Sequence, residues 1–159
     1  MGAAAKEERL FTCAGYKAWK PAEGECYEFI YGAAYAMPGL NTYHQSICGG
    51  LFRQIANYLY GKPCRVFSAP FDVRLFYEED ESDDTVVRPD ISVICDEKKP
   101  GSEGCRGAPD PAAGILSPSN SVFKMERKSG LYRQAGVREY RAINPGFDIG
   151  PEAVFADGD

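Results

Sequence analysis

Lys128 shares its predicted helical face with apolar residues. Met125 precedes it by three positions, and Tyr132 and Ala135 follow it by four and seven, the spacing that brings side chains to one side of a helix. A lysine on a face that packs inward either extends its ammonium to solvent or pairs with a buried acid.

The single histidine, His44, lies at the start of the longest predicted helix, four residues before Cys48. This spacing suggests a thiol–imidazole pair. Two side chains on one helix, however, lack the opposed geometry and the orienting third group of a nucleophilic site. We therefore interpret His44 as a structural group or a phosphate contact, and Cys48 as a core residue.

Acidic residues are concentrated at 78–84, a segment that holds six of the 23 carboxylates. A carboxylate-rich metal site is one interpretation of this segment. Like charges at such density are more typical of a solvated loop, which is the interpretation that we favour.

The six cysteines, at positions 13, 26, 48, 64, 95 and 105, include no C-x-x-C pair of the kind that starts a zinc site. Several of them stand where small apolar residues would fit. We therefore expect buried free thiols in a reducing compartment.

Hydrophobic patterning predicts the elements that position these residues. Strands are predicted at residues 26–31, 34–37, 64–67, 71–75, 86–95, 112–116 and 137–143. Helices are predicted from Thr42 to Leu59, where apolar residues recur every four positions, and from 121 to 135, before Gly136. Pro89 implies an edge strand, a bulge or a break between two strand pieces. The order predicts an α/β or α+β fold, with one mixed sheet and helices on its faces.

The composition is that of a globular protein with one domain over residues 1–159. No apolar run approaches the ~20 residues of a membrane span, and the first residues lack the apolar core of a signal peptide. We therefore expect a cytoplasmic protein without a membrane partner. The net charge of −5 disfavours a generally basic surface for nucleic acid but is compatible with a small local groove.

Short motifs occur along residues 6–145 in the order that follows. They are Tyr27-Glu28-Phe29-Ile30 with Gly32, His44-Gln45, Phe71-Asp72-Val73-Arg74-Leu75, Arg88-Pro89-Asp90-Ile91-Ser92-Val93, Ile115-Leu116-Ser117-Pro118-Ser119, Lys128, and Gly136-Val137-Arg138-Glu139-Tyr140. In this order they resemble the Uma-type family of restriction-endonuclease-like proteins, long catalogued as a domain of unknown function, in the PD-(D/E)XK nuclease superfamily. The resemblance implies a mixed central β-sheet flanked by helices, Mg²⁺ or Mn²⁺ as cofactor, DNA as substrate, and a homodimer.

The resemblance also implies roles for three residues. Asp90, within a literal Pro-Asp, matches the first catalytic carboxylate and metal ligand, and Lys128 matches the catalytic lysine. Glu28 matches an acidic position that would supply a further metal ligand. Phosphodiester hydrolysis needs oxygen ligands for a divalent ion that activates water, and a lysine near the phosphate adds electrostatic stabilisation. The alternatives are a surface position beside a proline bend for Asp90, a solvent-facing strand position for Glu28 and a solvent-extended ammonium for Lys128.

The chain departs from the family pattern at Gly114, where a Glu should supply the second metal ligand. Loss of that carboxylate weakens metal binding, and Glu126 and Glu28 are the candidate replacements. Two hypotheses follow. One is a metal-dependent DNA endonuclease that uses Asp90, Lys128 and Glu28. The other is a catalytically degenerate nuclease-fold protein that binds nucleic acid or assembles with a partner.

Overall fold

The computed structural model describes residues 10–37, 42–115 and 122–143, which combine helices with short strands. The helices are α1 (Cys13–Ala18), α2 (Thr42–Leu59) and α3 (Val122–Gln134). The strands are β1 (Tyr27–Ile30), β2 (Ala33–Ala36), β3 (Arg65–Ser68), β4 (Val73–Arg74), β5 (Val86–Val87), β6 (Ile91–Ile94), β7 (Pro100–Gly101), β8 (Gly104–Arg106), β9 (Pro111–Ile115) and β10 (Glu139–Ile143). Strands β7 and β8 lie between the strands predicted at 86–95 and 112–116, where the sequence predicted no regular element. Leu116 and the motif that continues to Ser119 lie outside the described residues.

The described strands form two mixed sheets, where we predicted one. The larger sheet has the order β2-β1-β5-β4-β8-β7, and the smaller has the order β10-β9-β6-β3. The chain passes from one sheet to the other at Pro89, because β5 pairs in the larger sheet and β6 in the smaller. Proline lacks the N–H that a continuous ladder needs. Of the three outcomes predicted for this proline, the break is therefore the one observed.

Helix α2 covers the smaller sheet. Its apolar residues recur at helical spacing, and two of them, Leu51 and Ile55, are buried against Ile91 and Val93 of β6. Burial of a side chain of this size contributes roughly 1.5–3 kcal/mol. Gly61 follows the helix with a φ of 75°, a left-handed conformation that favours glycine. The helix thus has the position and the buried face that its sequence predicts.

Helices α3 and α1 pack against the larger sheet. From α3, Leu131 and Tyr132 are buried with Val73 and Val87. From α1, Cys13 is buried in a second hydrophobic cluster, with Phe29 and Val86 of the same sheet. No helix in the described part of the chain has the length and apolar character needed to cross a membrane.

The prediction of buried free thiols is wrong for Cys64 and Cys95, which form a disulfide. Strands β3 and β6 are antiparallel with Arg65 opposite Ile94, so the two cysteines are the next facing pair, with Cα atoms 4.0 Å apart. Their spacing in sequence did not reveal this register. The prediction holds for Cys13 and Cys105, which are buried and unpaired, and fails for Cys26, which is exposed. Cys48 is half-buried against the cluster beneath α2, in agreement with a core role.

Candidate active site

Asp90 lies where the two sheets meet, between Pro89 and the first residue of β6. Its Oδ2 accepts a hydrogen bond of 2.7 Å from the backbone N–H of Ile115, at the end of β9. Its Oδ1 lies 3.2 Å from Nε2 of His44, and its side chain is 16% exposed. The carboxylate is therefore held by a strand and a helix while it keeps an edge open to solvent.

His44 reaches Asp90 from the first turn of α2. Its side chain is 7% exposed, so the imidazole is enclosed between the helix and the smaller sheet. One turn later, the Sγ of Cys48 lies 3.8 Å from the backbone oxygen of Asp90. Burial, and then the charge of Asp90, raises the pKa of the Cys48 thiol, which keeps it protonated and unsuited to act as a nucleophile. We did not predict the contact between His44 and Asp90.

Glu28 and Lys128 form an ion pair of 2.7 Å between Oε2 and Nζ. The Glu28 side chain, on β1, is only 5% exposed, whereas Lys128, on α3, is 28% exposed. The second carboxylate oxygen, Oε1, accepts a hydrogen bond of 2.9 Å from the backbone N–H of Arg88. Of the two alternatives predicted for Lys128, the structure therefore shows the pairing with a buried acid.

Two stacked tyrosines lie next to both carboxylates. The rings of Tyr132, on α3, and Tyr140, on β10, are 4.3 Å apart between centroids and 11° from parallel. Burial raises the pKa of each phenol, and the negative charges of Glu28 and Asp90 raise both further. Both hydroxyls therefore remain protonated. We did not predict this pair, although Tyr132 shares the helical face of Lys128 that brings it to the site.

Position 114 faces Asp90, as the family pattern requires for its second carboxylate. A Cβ at Gly114 would lie 3.9 Å from Oδ2 of Asp90, but only 2.5 Å from the hydroxyl oxygen of Tyr140. Strands β9 and β10 are parallel with Tyr140 opposite Ala112, so the ring extends along the neighbouring strand towards residue 114. The tyrosine hydroxyl occupies the space that a side chain at 114 would enter. Glu126, a candidate replacement for the missing carboxylate, is exposed on α3.

The donor set is small for a divalent metal. Within residues 10–37, 42–115 and 122–143, no group of three or more His, Cys, Asp or Glu side chains is arranged to hold one. Mg²⁺ commonly binds one or two protein carboxylates and completes its shell with water and substrate phosphate. The part-exposed carboxylate of Asp90 fits a site of that kind. Glu28 fits it only after its Oε2 has separated from Lys128.

The acidic segment at 78–84 is attached to its surroundings through two ion pairs. Asp83 is buried and pairs with Arg74 of β4, and Glu81 pairs with Lys17 of α1. The interpretation as a fully solvated loop is therefore wrong for Asp83. Both pairs tie the segment to the larger sheet and its helix.

A cleft of about 490 Å³ beside α1 is lined by aromatic and cationic side chains, but by none of Asp90, Glu28 and Lys128. Arg88 extends its guanidinium into this cleft and pairs there with Asp72. Most of the other cations in the cleft are also paired with acids. The cleft therefore lacks the excess positive charge that contact with a nucleic-acid backbone requires.

Comparisons with known proteins agree on the fold. A family model described as "Uma2: Putative restriction endonuclease" matches residues 14–146. The crystal structure of a "putative nuclease belonging to DUF820" from Anabaena variabilis is similar, with a TM-score of 0.68 at 22% sequence identity. The similarity covers 86% of this chain and 75% of that one, and it confirms the predicted restriction-endonuclease-like fold with mixed strands flanked by helices. No curated protein matches the chain.

Proposed function

The chain belongs to the Uma2 family, which is described as "Putative restriction endonuclease", and from this premise we propose that it is a metal-dependent DNA endonuclease. The proposed reaction is hydrolysis of a phosphodiester bond next to Asp90. The observation that carries the proposal is the position of this carboxylate: part-exposed, fixed by the Ile115 N–H, and close to the tyrosines that also border the Glu28–Lys128 pair.

Asp90 is the proposed metal ligand, and Glu28 the second one. A bound Mg²⁺ or Mn²⁺ would supply Lewis-acid polarisation of the phosphate and an activated water. The backbone N–H of Ile115 holds one oxygen of Asp90, so the carboxylate cannot rotate freely. This hydrogen bond fixes the direction in which the remaining lone pairs point.

Lys128 is the proposed phosphate-binding cation. Its ammonium is part-exposed and is held by the buried carboxylate of Glu28. Its position is therefore fixed while it remains accessible from solvent. When an anionic phosphate enters, the ammonium can exchange Glu28 for the phosphate, and this exchange releases the Oε2 of Glu28. The exchange is favourable only if the freed oxygen of Glu28 gains a new cation, which a bound metal would supply. His44 stays a proposed phosphate contact, reached through its position next to Asp90.

The test is nicking of supercoiled plasmid in Mg²⁺ or Mn²⁺ by the wild type and by Asp90→Asn. Asparagine keeps the shape and still accepts the Ile115 hydrogen bond, so the loss of one charge is isolated. We expect a loss of about a hundredfold or more. The matched control is Asp96→Asn, an exposed carboxylate two residues beyond β6, which should nick as the wild type does. Metal-dependent nicking that persists in Asp90→Asn would refute the site.

A second function is favoured by the contact between position 114 and Tyr140. With glycine at 114 and the hydroxyl in its place, the chain can be a degenerate nuclease that binds DNA without cleaving it. In that case the wild type retains DNA in a salt-dependent manner without nicking it. Cleavage would then be gained by Gly114→Glu combined with Tyr140→Phe, the change that makes room for the new side chain.

Assembly and location complete the proposal. We propose a homodimer, which sedimentation of the purified protein would test against a monomer. We place the protein in the cytoplasm with its DNA substrate. In a reducing cytoplasm the Cys64–Cys95 pair would be present as thiols.

A further inference from the structure

The side-chain oxygens of Asp90 and Tyr140 converge at position 114. The point where a Cβ of residue 114 would lie is 2.5 Å from the Tyr140 hydroxyl oxygen and 3.9 Å from Oδ2 of Asp90. Both oxygens are therefore within 4 Å of one point. The phenol of Tyr140 borders the same space as the carboxylate to which the hydrolytic site is assigned.

The ring that carries this hydroxyl is held firmly. Tyr140 stacks on Tyr132, which is 1% exposed, and it lies on a strand that pairs with β9 over five positions. Among the described residues, no hydrogen-bond partner of the Tyr140 hydroxyl is found, although the group is close to two carboxylates. A protonated phenol with a free donor, fixed in place, is prepared to bind an anion.

We propose that Tyr140 is a substrate-binding residue of this site, whose hydroxyl donates a hydrogen bond to a non-bridging oxygen of the DNA phosphate beside Asp90. The proposal rests on the proposed function, because it assigns the phosphate to the same space. A neutral phenol does not replace the charge of a missing carboxylate, and it contributes a donor on the substrate side instead. A phenol with an ordinary pKa of about 10 keeps its proton at neutral pH, so the donor is present when a phosphate binds.

The test compares Tyr140→Phe with the wild type in two measurements. The first is the rate of plasmid nicking in Mn²⁺ as a function of DNA concentration. The second is the affinity for a fluorescently labelled DNA duplex in Ca²⁺, measured by anisotropy. Loss of one hydrogen bond to a charged phosphate should lower kcat/KM for nicking, and affinity for the duplex, by about tenfold to a hundredfold.

The matched control is Tyr31→Phe, which removes an exposed hydroxyl bonded to Gln134 and should leave both measurements unchanged. The ring stack is kept in Tyr140→Phe, so its thermal midpoint and far-ultraviolet circular dichroism should match the wild type. A loss of activity that only follows a loss of stability would show a structural role and would overturn the proposal.

The outcomes separate this proposal from the endonuclease proposal. Wild-type protein that binds the duplex without nicking would refute the endonuclease, whereas weaker binding by Tyr140→Phe would still support the phosphate contact. Wild-type nicking that Tyr140→Phe leaves unchanged would refute the phosphate contact alone. A wild type that neither binds the duplex nor nicks plasmid would overturn both.

Discussion

The effect of Gly114→Ala on stability should depend on residue 140. The substitution should destabilise the protein beside tyrosine and stabilise it beside phenylalanine. In the wild type, the new methyl group would lie 2.5 Å from the Tyr140 hydroxyl oxygen, so the stacked ring must move. Overpacking of this kind costs about 1–3 kcal/mol. With unfolding entropy of ~2.1 cal/mol/K per residue over this chain, each kcal/mol lowers the thermal midpoint by about 3 °C. We therefore expect Gly114→Ala to lower it by about 3–9 °C.

In a Tyr140→Phe background the same change should be harmless. The next atom of the ring, Cζ, would be 3.5 Å from the added Cβ, an ordinary contact. There, loss of glycine freedom in the unfolded chain should stabilise the protein by about 0.4–1 kcal/mol. Thermal and urea unfolding of the two single variants and the double variant gives the coupling energy, which should be about 1.4–4 kcal/mol.

Gly49→Ala is the control for this cycle, because a Cβ there meets nothing within 4 Å. In the middle of α2, alanine should stabilise the chain by about 1 kcal/mol whichever residue stands at 140. If Gly114→Ala is neutral or stabilising beside an intact Tyr140, the hydroxyl does not fill the space at position 114. The argument for its place in the site would then fail.

Three further predictions concern other parts of the structure. Lys128→Met leaves Glu28 buried without its cation and should lower the free energy of unfolding by about 3–5 kcal/mol in urea titrations; a change below 1 kcal/mol would contradict burial of the pair. Reduction of Cys64–Cys95, which are 31 positions apart in sequence, should cost about 3–4 kcal/mol, measured by unfolding with and without dithiothreitol, and an unchanged midpoint would argue against the bond. Because the pKa of Tyr140 is raised in the folded state, the phenol stabilises the protein fully below its unfolded pKa near 10, and this stabilisation is lost as pH rises above that value; Tyr140→Phe should reduce the loss of stability between about pH 10 and 12.

Helices α2 and α3 and most strands were predictable because their signals are local. Apolar spacing every four residues defines α2, and Gly136, with a φ of 90°, ends α3 where we expected it. Pro89 marked the discontinuity between β5 and β6. The end of a helix at a glycine and the interruption of a strand at a proline depend only on neighbours in sequence. Both can therefore be predicted without knowledge of the fold.

The pairing of distant residues could not be predicted in the same way. Lys128 was assigned either to solvent or to a buried acid, and only the packing of α3 against β1 selects Glu28. The disulfide depends on the register of β3 against β6, which a one-residue shift would abolish. The separation into two sheets likewise depends on which strands pair, a choice made by tertiary packing and not by strand propensity.

The charges of the site explain what the glycine at 114 changes. Asp90 and Glu28 carry two negative charges, and Lys128 neutralises one of them in the Glu28 pair. One carboxylate charge therefore remains uncompensated. A third carboxylate, at position 114, would have raised the number of uncompensated charges to two. A divalent ion at this site depends on the negative charge of the substrate phosphate for part of its binding energy, because a single carboxylate offsets little of the cost of dehydrating the ion. In the proposed site, the phosphate would depend in the same way on the metal, on Lys128 and on the Tyr140 donor. We therefore expect metal and DNA to bind with positive coupling, each weak without the other, because Lys128 compensates one of the two proposed ligand carboxylates.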